Sequence, residues 1–158
     1  MTQTPRRRRR ERQLEWRAEM TVIVRTLIRF LLPLVLVFGA YIISYGHLTP
    51  GGGFQGGMIL VGAVMSVYLA YGYDSIRRID DEDLDLAEHL GALLYVVVGL
   101  VGVGLGGAFL TNVFPTGHLG ALFSGGIVFV LNLAVGFKVA AGTLIVLLIL
   151  LEALRKGA

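Results

Sequence analysis

Residues 49–57 read TPGGGFQGG, and this stretch separates two long apolar segments. Five of its last seven residues are glycine, and a proline precedes them, so it interrupts an ordinary membrane helix. This composition predicts a turn at a membrane surface in which the backbone approaches its neighbours closely. The residues expected to build this structural turn are Pro50, Gly51, Gly52, Gly53, Phe54, Gly56 and Gly57.

The composition excludes a soluble fold and several kinds of site. Hydrophobic residues make up 55% of the 158 residues, and the mean hydropathy is +0.74. The chain has no cysteine, which rules out disulfides and thiolate metal sites. The histidines at 47, 89 and 118 are too far apart to form a metal pair on one helix turn. No hydrolase or phosphate-binding motif occurs, so we expect no metal, no cofactor and no catalytic residue.

The apolar segments predict an all-α integral membrane protein with four transmembrane helices. The expected helices cover residues 22–45, 54–73, 90–110 and 137–154, within a membrane domain of residues 22–154. Residues 74–89 carry seven acids and are expected to form a solvated loop with a short amphipathic turn near its end. Small residues on the second and third helices predict close helix packing, at Gly62 and Ser66 and at Gly102 and Gly106.

The last helix has two possible starts. Residues 125–151 are almost continuously apolar, interrupted mainly by Asn132 and Lys138, and a single helix there would place Lys138 near the bilayer centre. Insertion scales put the cost of a central lysine at about 2.5–3.5 kcal/mol or more. The alternative, which we favour, starts the helix near Phe137, places Lys138 at the outer interface and leaves residues 121–136 as an irregular outer segment.

The distribution of lysine and arginine predicts the orientation. Residues 1–20 form a basic arm that includes Arg6–Arg10, whereas the segments around the glycine turn carry almost no basic residue. The positive-inside rule therefore places both termini and the acidic loop in the cytoplasm and the glycine turn outside. Arg25 and Arg29, one helical turn apart, are expected to mark the inner surface. The arm is interpreted as a cytoplasmic arm, so we expect no nucleic-acid partner.

Few polar residues are placed where ions could pass. The carboxylates are all expected in the arm, the inner loop or the inner end of the last helix, so the chain alone has no carboxylate relay or sodium cage. The remaining ion-path candidates are Lys138, Gln55, Asn132 and His47. Each also has a structural interpretation. Lys138 either pairs with an acid of another subunit or extends to the interface, and the other three either bind ions or satisfy the backbone of a turn.

The stretch Gly46–Gly57 closely resembles the signature of the MnhB subunits of Mrp-type (Mnh) multisubunit sodium/proton antiporters. The later runs LFSGG at 122–126 and LNLAVG at 131–136, followed by Lys138, are similar to the longer branch of this family. The resemblance covers residues 22–154, with Arg25 and Arg29 at the family's basic positions.

The resemblance implies an accessory subunit of a sodium/proton antiporter complex in a prokaryotic cell membrane. Its expected partners are the other subunits, the lipid bilayer, and the sodium ions and protons that the complex handles. Two alternatives remain open at this point. The chain is either a homologous subunit of an energy-converting membrane-bound hydrogenase or related respiratory complex, or a purely structural scaffold with no part in ion flow.

Overall fold

A computed structural model gives the architecture of the chain. It describes the backbone of residues 5–76, 79, 81–115, 117, 118, 120 and 124–157, and side chains from residue 21 onward except residues 73, 74, 81, 155 and 157. The side chains of the basic arm, Arg77, Arg78 and residues 121–123 therefore lie outside the described part of the chain.

The described residues form five helices and no strand. Helix α1 covers Pro5–Tyr45, α2 Gly53–Tyr71, α3 Tyr73–Ile76, α4 Asp81–Gly104 and α5 Ile127–Gly157. Four segments are long and apolar enough to cross a membrane, namely Thr21–Tyr45, Gly53–Tyr71, Glu82–Gly104 and Ile127–Leu154. The prediction of an all-α protein with four membrane helices is confirmed, and the described residues between α4 and α5 are irregular.

Helix α4 begins nine residues before its predicted start at residue 90. The acidic stretch expected to form a loop instead supplies the first turns of this helix, from Asp81 through Glu88. Acids near a helix N-terminus interact favourably with the positive end of the helix dipole, which explains why charged residues are helical here. The prediction that residues 74–89 form a solvated loop is therefore wrong for most of its length.

Helix α4 also ends six residues before its predicted end at residue 110. The amide of Gly107 donates to the carbonyl of Gly102, and the amide of Gly106 donates to Val103, while Gly106 has a φ of 83°. These two bonds form a Schellman motif, in which a left-handed glycine closes the helix. Gly102 and Gly106 therefore do not share one face of a helix. Gly102 lies against residues 108–111 of the chain's own returning segment.

Helix α5 begins at Ile127, so the preferred start near Phe137 is wrong. Residues 127–136 belong to the helix, and of the segment expected to be irregular, residues 124–126 precede the helix in the described part of the chain. The free-energy cost that disfavours a continuous helix applies to a Lys138 that has no partner inside the span. Instead Lys138 forms an ion pair with Glu88 on α4. Pairing reduces the cost of placing a charge there.

The helices pack in the order α1, α2, α5, α4, with α5 between α2 and α4. A small core lies where α3 turns back against α5, and it is formed by Ile76, Leu144 and Leu148. Between 17% and 33% of the residues in each span are buried within the chain. Most of the apolar surface of every span therefore faces lipid or another protein.

Close helix contacts in α2 depend on three of its glycines, Gly53, Gly56 and Gly57. A Cβ at Gly57 would lie 2.9 Å from the carbonyl oxygen of Gly136 on α5. By contrast, Gly62 is exposed and has no neighbour within 4 Å of such a Cβ. The predicted close helix packing at Gly62 is therefore not formed within this chain. The hydroxyl of Ser66 donates a hydrogen bond to the carbonyl of Gly62, one turn earlier on the same helix.

We predict opposite effects for alanine at these two positions of α2. Gly57→Ala should lower the thermal midpoint of the full chain in detergent, because α2 and α5 must separate to admit the methyl group, at a cost of about 1–3 kcal/mol. Gly62→Ala should leave the midpoint unchanged or raise it, since alanine favours a helix over glycine by about 1 kcal/mol. Circular dichroism melting checks both variants, and equal shifts would contradict the assigned contacts.

Candidate functional site

The glycine turn joins α1 to α2 and brings three helices together. After α1 ends, the amides of Leu48 and Thr49 and the Thr49 hydroxyl all donate to the carbonyl of Tyr45. Gly52 then stands at the N-terminus of α2 with a φ of 147°, a backbone conformation that favours glycine, and no side chain caps this helix end.

The glycines after Gly52 let the backbone of α2 contact its two neighbours. A Cβ at Gly53 would collide with the carbonyl oxygen of Asn132 on α5, and one at Gly56 would collide with Ile43 on α1. A Cβ at Gly56 would also lie 2.9 Å from the carbonyl oxygen of Gly39. The turn therefore fixes α2 between α1 and α5. The other residues predicted to build it, Pro50, Gly51 and Phe54, are exposed.

Three of the predicted ion-path candidates lie around this turn. The side-chain oxygens of Gln55 and Asn132 lie 3.4 and 3.5 Å from the position that a Cβ on Gly52 would occupy. The ring of His47 contacts Gly125 and the ring of Phe129, whose centroid is 6.2 Å away. Both ring nitrogens of His47 and the amide nitrogen of Asn132 are buried without a hydrogen-bond partner among the described residues. The structure thus groups Gln55, Asn132 and His47 at the glycine turn.

Lys138 lies apart from the glycine turn, within the α4–α5 contact. Its Nζ donates to Oε1 of Glu88 at 3.1 Å. Lys138 lies about 16 Å along the axis from the Ile127 end of its span, and Glu88 lies about 9 Å from the Glu82 end. Both charges therefore lie inside segments that are long and apolar enough to cross a membrane. The expectation that Glu88 lies in a loop is wrong, since Glu88 lies within α4, close to the acidic end of that span.

Sequence reasoning missed Glu88 because its charged neighbours resembled a loop. The sequence does indicate a helix start, because Asp81, Glu82 and Asp83 are acids of the kind enriched in the first turn of a helix. A helix that starts there contains Glu88. Gly91 allows the two helices to approach closely, because a Cβ there would lie 3.0 Å from the amide of Lys138. A Cβ at Gly142 would lie 3.3 Å from the carboxyl carbon of Glu88, at the flexible end of that side chain.

Of the two arginines near the start of the span Thr21–Tyr45, Arg25 makes a structural contact. The Nε of Arg25 donates to the carbonyl of Ala70 at 3.1 Å, and its guanidinium lies 5.6 Å from the centre of the Tyr71 ring. Arg25 therefore connects α1 to the last turn of α2, where the helix leaves a carbonyl unpaired. Arg29 is exposed. Among the described residues, no group of three or more histidines and acids is arranged to hold a metal ion.

Comparisons with known proteins agree on one family. A model described as a domain related to the MnhB subunit of Na⁺/H⁺ antiporters matches residues 23–145. An uncharacterized protein of Methanocaldococcus jannaschii is 36% identical over 132 residues, which cover 78% of this chain and 50% of that protein. The Na⁺/H⁺ antiporter B subunit of Alkalihalophilus pseudofirmus is 32% identical over 93 residues, which cover 59% of this chain and 65% of that protein.

A solved structure has the same arrangement of helices. It is the membrane-bound sulfane sulfur reductase, an archaeal respiratory membrane complex, and one of its chains aligns with a TM-score of 0.68 at 33% identity. The alignment covers 79% of this chain and 55% of the other. The present chain thus spans between half and two thirds of the length of these relatives.

We predict that Glu88 and Lys138 depend on each other for stability. Glu88→Gln and Lys138→Met should each lower the thermal midpoint of the full chain in detergent, because each leaves the other charge without its partner. The double variant should lose less than the two single losses combined, by about 0.5–3 kcal/mol.

The ion pair between Glu152 and Lys156 provides the control for this cycle. These residues lie one turn apart on α5 and are largely exposed, so Glu152→Gln and Lys156→Met should show a coupling of no more than about 0.5 kcal/mol. Additive effects of Glu88→Gln and Lys138→Met, as small as those of the control, would contradict the assigned pair.

Proposed function

The chain belongs to the family of domains related to the MnhB subunit of Na⁺/H⁺ antiporters, and from this membership we propose that it is an accessory membrane subunit of a multisubunit sodium/proton antiporter. The observation that carries the proposal is the family match over residues 23–145, which include both the glycine turn and the Lys138 region of α5. The chain is a multi-pass membrane protein of the prokaryotic cell membrane, with both termini inside.

The surface of the chain supports an accessory role in a larger assembly. Most of each span is exposed on the isolated chain, and the Glu88–Lys138 pair is part of that exposed surface. Charged residues inside membrane segments almost always face protein or a water-filled cavity. The subunit therefore contributes helices to the complex and no catalytic site of its own. Its outer polar group of His47, Gln55 and Asn132 lines the outer part of an ion path.

A second candidate function follows from the structural comparison. The aligned structure is a respiratory sulfane sulfur reductase, so the same subunit type would serve in a complex that couples a redox reaction to ion movement. This chain has no cysteine to hold an iron–sulfur cluster, so other subunits would carry the redox centres. Iron analysis of the affinity-purified complex separates the two candidates. We expect no stoichiometric iron for an antiporter, whereas bound iron would establish the second function.

Deleting this subunit from its complex should abolish antiport. In everted vesicles, sodium addition should no longer collapse a preformed pH gradient, as followed by a fluorescent amine, and the wild-type chain should restore the response. Gly56→Leu should fail to restore it, because the side chain would displace α1 at Ile43. The matched control Gly62→Leu should restore it, since that position is open within the chain.

Two results would count against the accessory role. Antiport at the wild-type rate without the chain would show that the complex does not need it. A Gly56→Leu complex that assembles normally but exchanges a different ion would instead make the glycine turn a selectivity element. Assembly is measured in the same vesicles by recovery of the other subunits with a tag on this chain.

A further inference from the structure

The Glu88–Lys138 pair lies on an exposed face of the chain, within two segments that are long and apolar enough to cross a membrane. The side chain of Lys138 is 47% exposed and that of Glu88 is 33% exposed. In a bilayer this face would present a lysine and a carboxylate to hydrocarbon, at about 2.5–3.5 kcal/mol for a single charge near the centre of a helix. Pairing offsets part of this cost, and the remaining hydrogen-bonding capacity requires polar partners from outside the chain.

The surface beside the pair is shaped for the approach of another helix. Gly142, one turn beyond Lys138 on α5, lies against the Glu88 carboxyl group and adds no side chain of its own. One turn further on the same face is Val146, which is 66% exposed. Small residues beside polar groups are typical of helix contacts in membranes, where close backbone approach and interhelical hydrogen bonds drive association.

The remaining hydrogen-bond donors of Lys138 and acceptors of Glu88 define the chemistry that a partner must have. The ammonium of Lys138 has three donors and the contact with Glu88 uses one of them. The Glu88 carboxylate accepts that bond through one oxygen and retains further acceptor sites. A complementary partner must therefore place an acceptor against Lys138 and a donor near Glu88.

We propose that the α4–α5 face around Glu88, Lys138 and Gly142 is the docking site for a transmembrane helix of a neighbouring subunit, which carries a polar side chain at the depth of the ion pair. The inference rests on the proposed function, because it requires a complex. The helix covers both charges and excludes lipid from them. Its acceptor, an amide or carboxylate oxygen, completes the hydrogen bonding of Lys138.

The lack of cysteine in the chain allows a direct crosslinking test. Val146→Cys is labelled on the solubilised chain with a maleimide-linked photocrosslinker, because the docked helix would shield the thiol in the assembled complex. After reassembly with the other subunits in vesicles, irradiation should join this chain to one other subunit. The matched control is Val37→Cys on α1, which replaces the same residue type at a position that is 70% exposed. It should give at most one-fifth of that crosslinked product, because the described part of α1 makes no contact with α4 and so lies away from the α4–α5 face.

The charge requirement is tested in the same vesicles. Lys138→Met should reduce the Val146→Cys crosslink at least threefold, whereas Lys156→Met, which breaks the other ion pair of α5, should leave it unchanged. A crosslink of equal yield from Val146→Cys and Val37→Cys would overturn the proposal. So would rapid labelling of Val146→Cys in the assembled complex by a membrane-impermeant thiol reagent, since that result would show a water-filled path instead of a helix.

Recovery of other subunits with the tagged chain separates this inference from the proposed function. If subunits co-purify with Val146→Cys and no crosslink to any of them forms, the docking site is wrong and the accessory role stands. If no subunit co-purifies with the wild-type chain, the accessory role itself is wrong.

Discussion

The fold depends on the close approach of three helix backbones at the glycine turn. Gly53 and Gly56 lie where a side chain would meet Asn132 on α5 and Ile43 on α1. With little hydrophobic driving force between helices in lipid, such backbone-to-backbone packing is a principal source of association. The α1–α2–α5 arrangement that follows brings His47, Gln55 and Asn132 together at the turn. The fourth long helix, α4, packs against α5 on the side away from α2.

The sequence predicts the number and type of helices because hydrophobic length is a strong signal in a membrane protein. The glycine turn is also predictable, since few structures tolerate TPGGGFQGG. Helix ends were harder to place. Asp81–Glu88 has the polarity of a loop, and only the favourable effect of acids at a helix N-terminus indicates a helix. The end at Gly104 depends on the conformation of Gly106, which a GxxxG pattern does not reveal.

The Glu88–Lys138 pair shows why the residues of α5 alone do not predict where this helix begins. Burying an unpaired lysine in a membrane span costs free energy, and this cost disfavours a continuous helix from residue 127 if Lys138 has no partner. The partner, Glu88, is 50 residues away in sequence, on a segment whose composition predicts a loop. The pattern of a single sequence does not indicate a contact between two such distant segments.

A chain that functions as one subunit of a larger membrane complex should leave the membrane together with its partners. Native mass spectrometry of the tagged chain, extracted from its own membranes in a mild detergent, measures this. We expect a particle much heavier than the 17.1 kDa chain, which dissociates on collisional activation into this chain and several other membrane subunits. A particle containing only this chain and bound lipid, obtained from membranes with active antiport, would contradict this expectation.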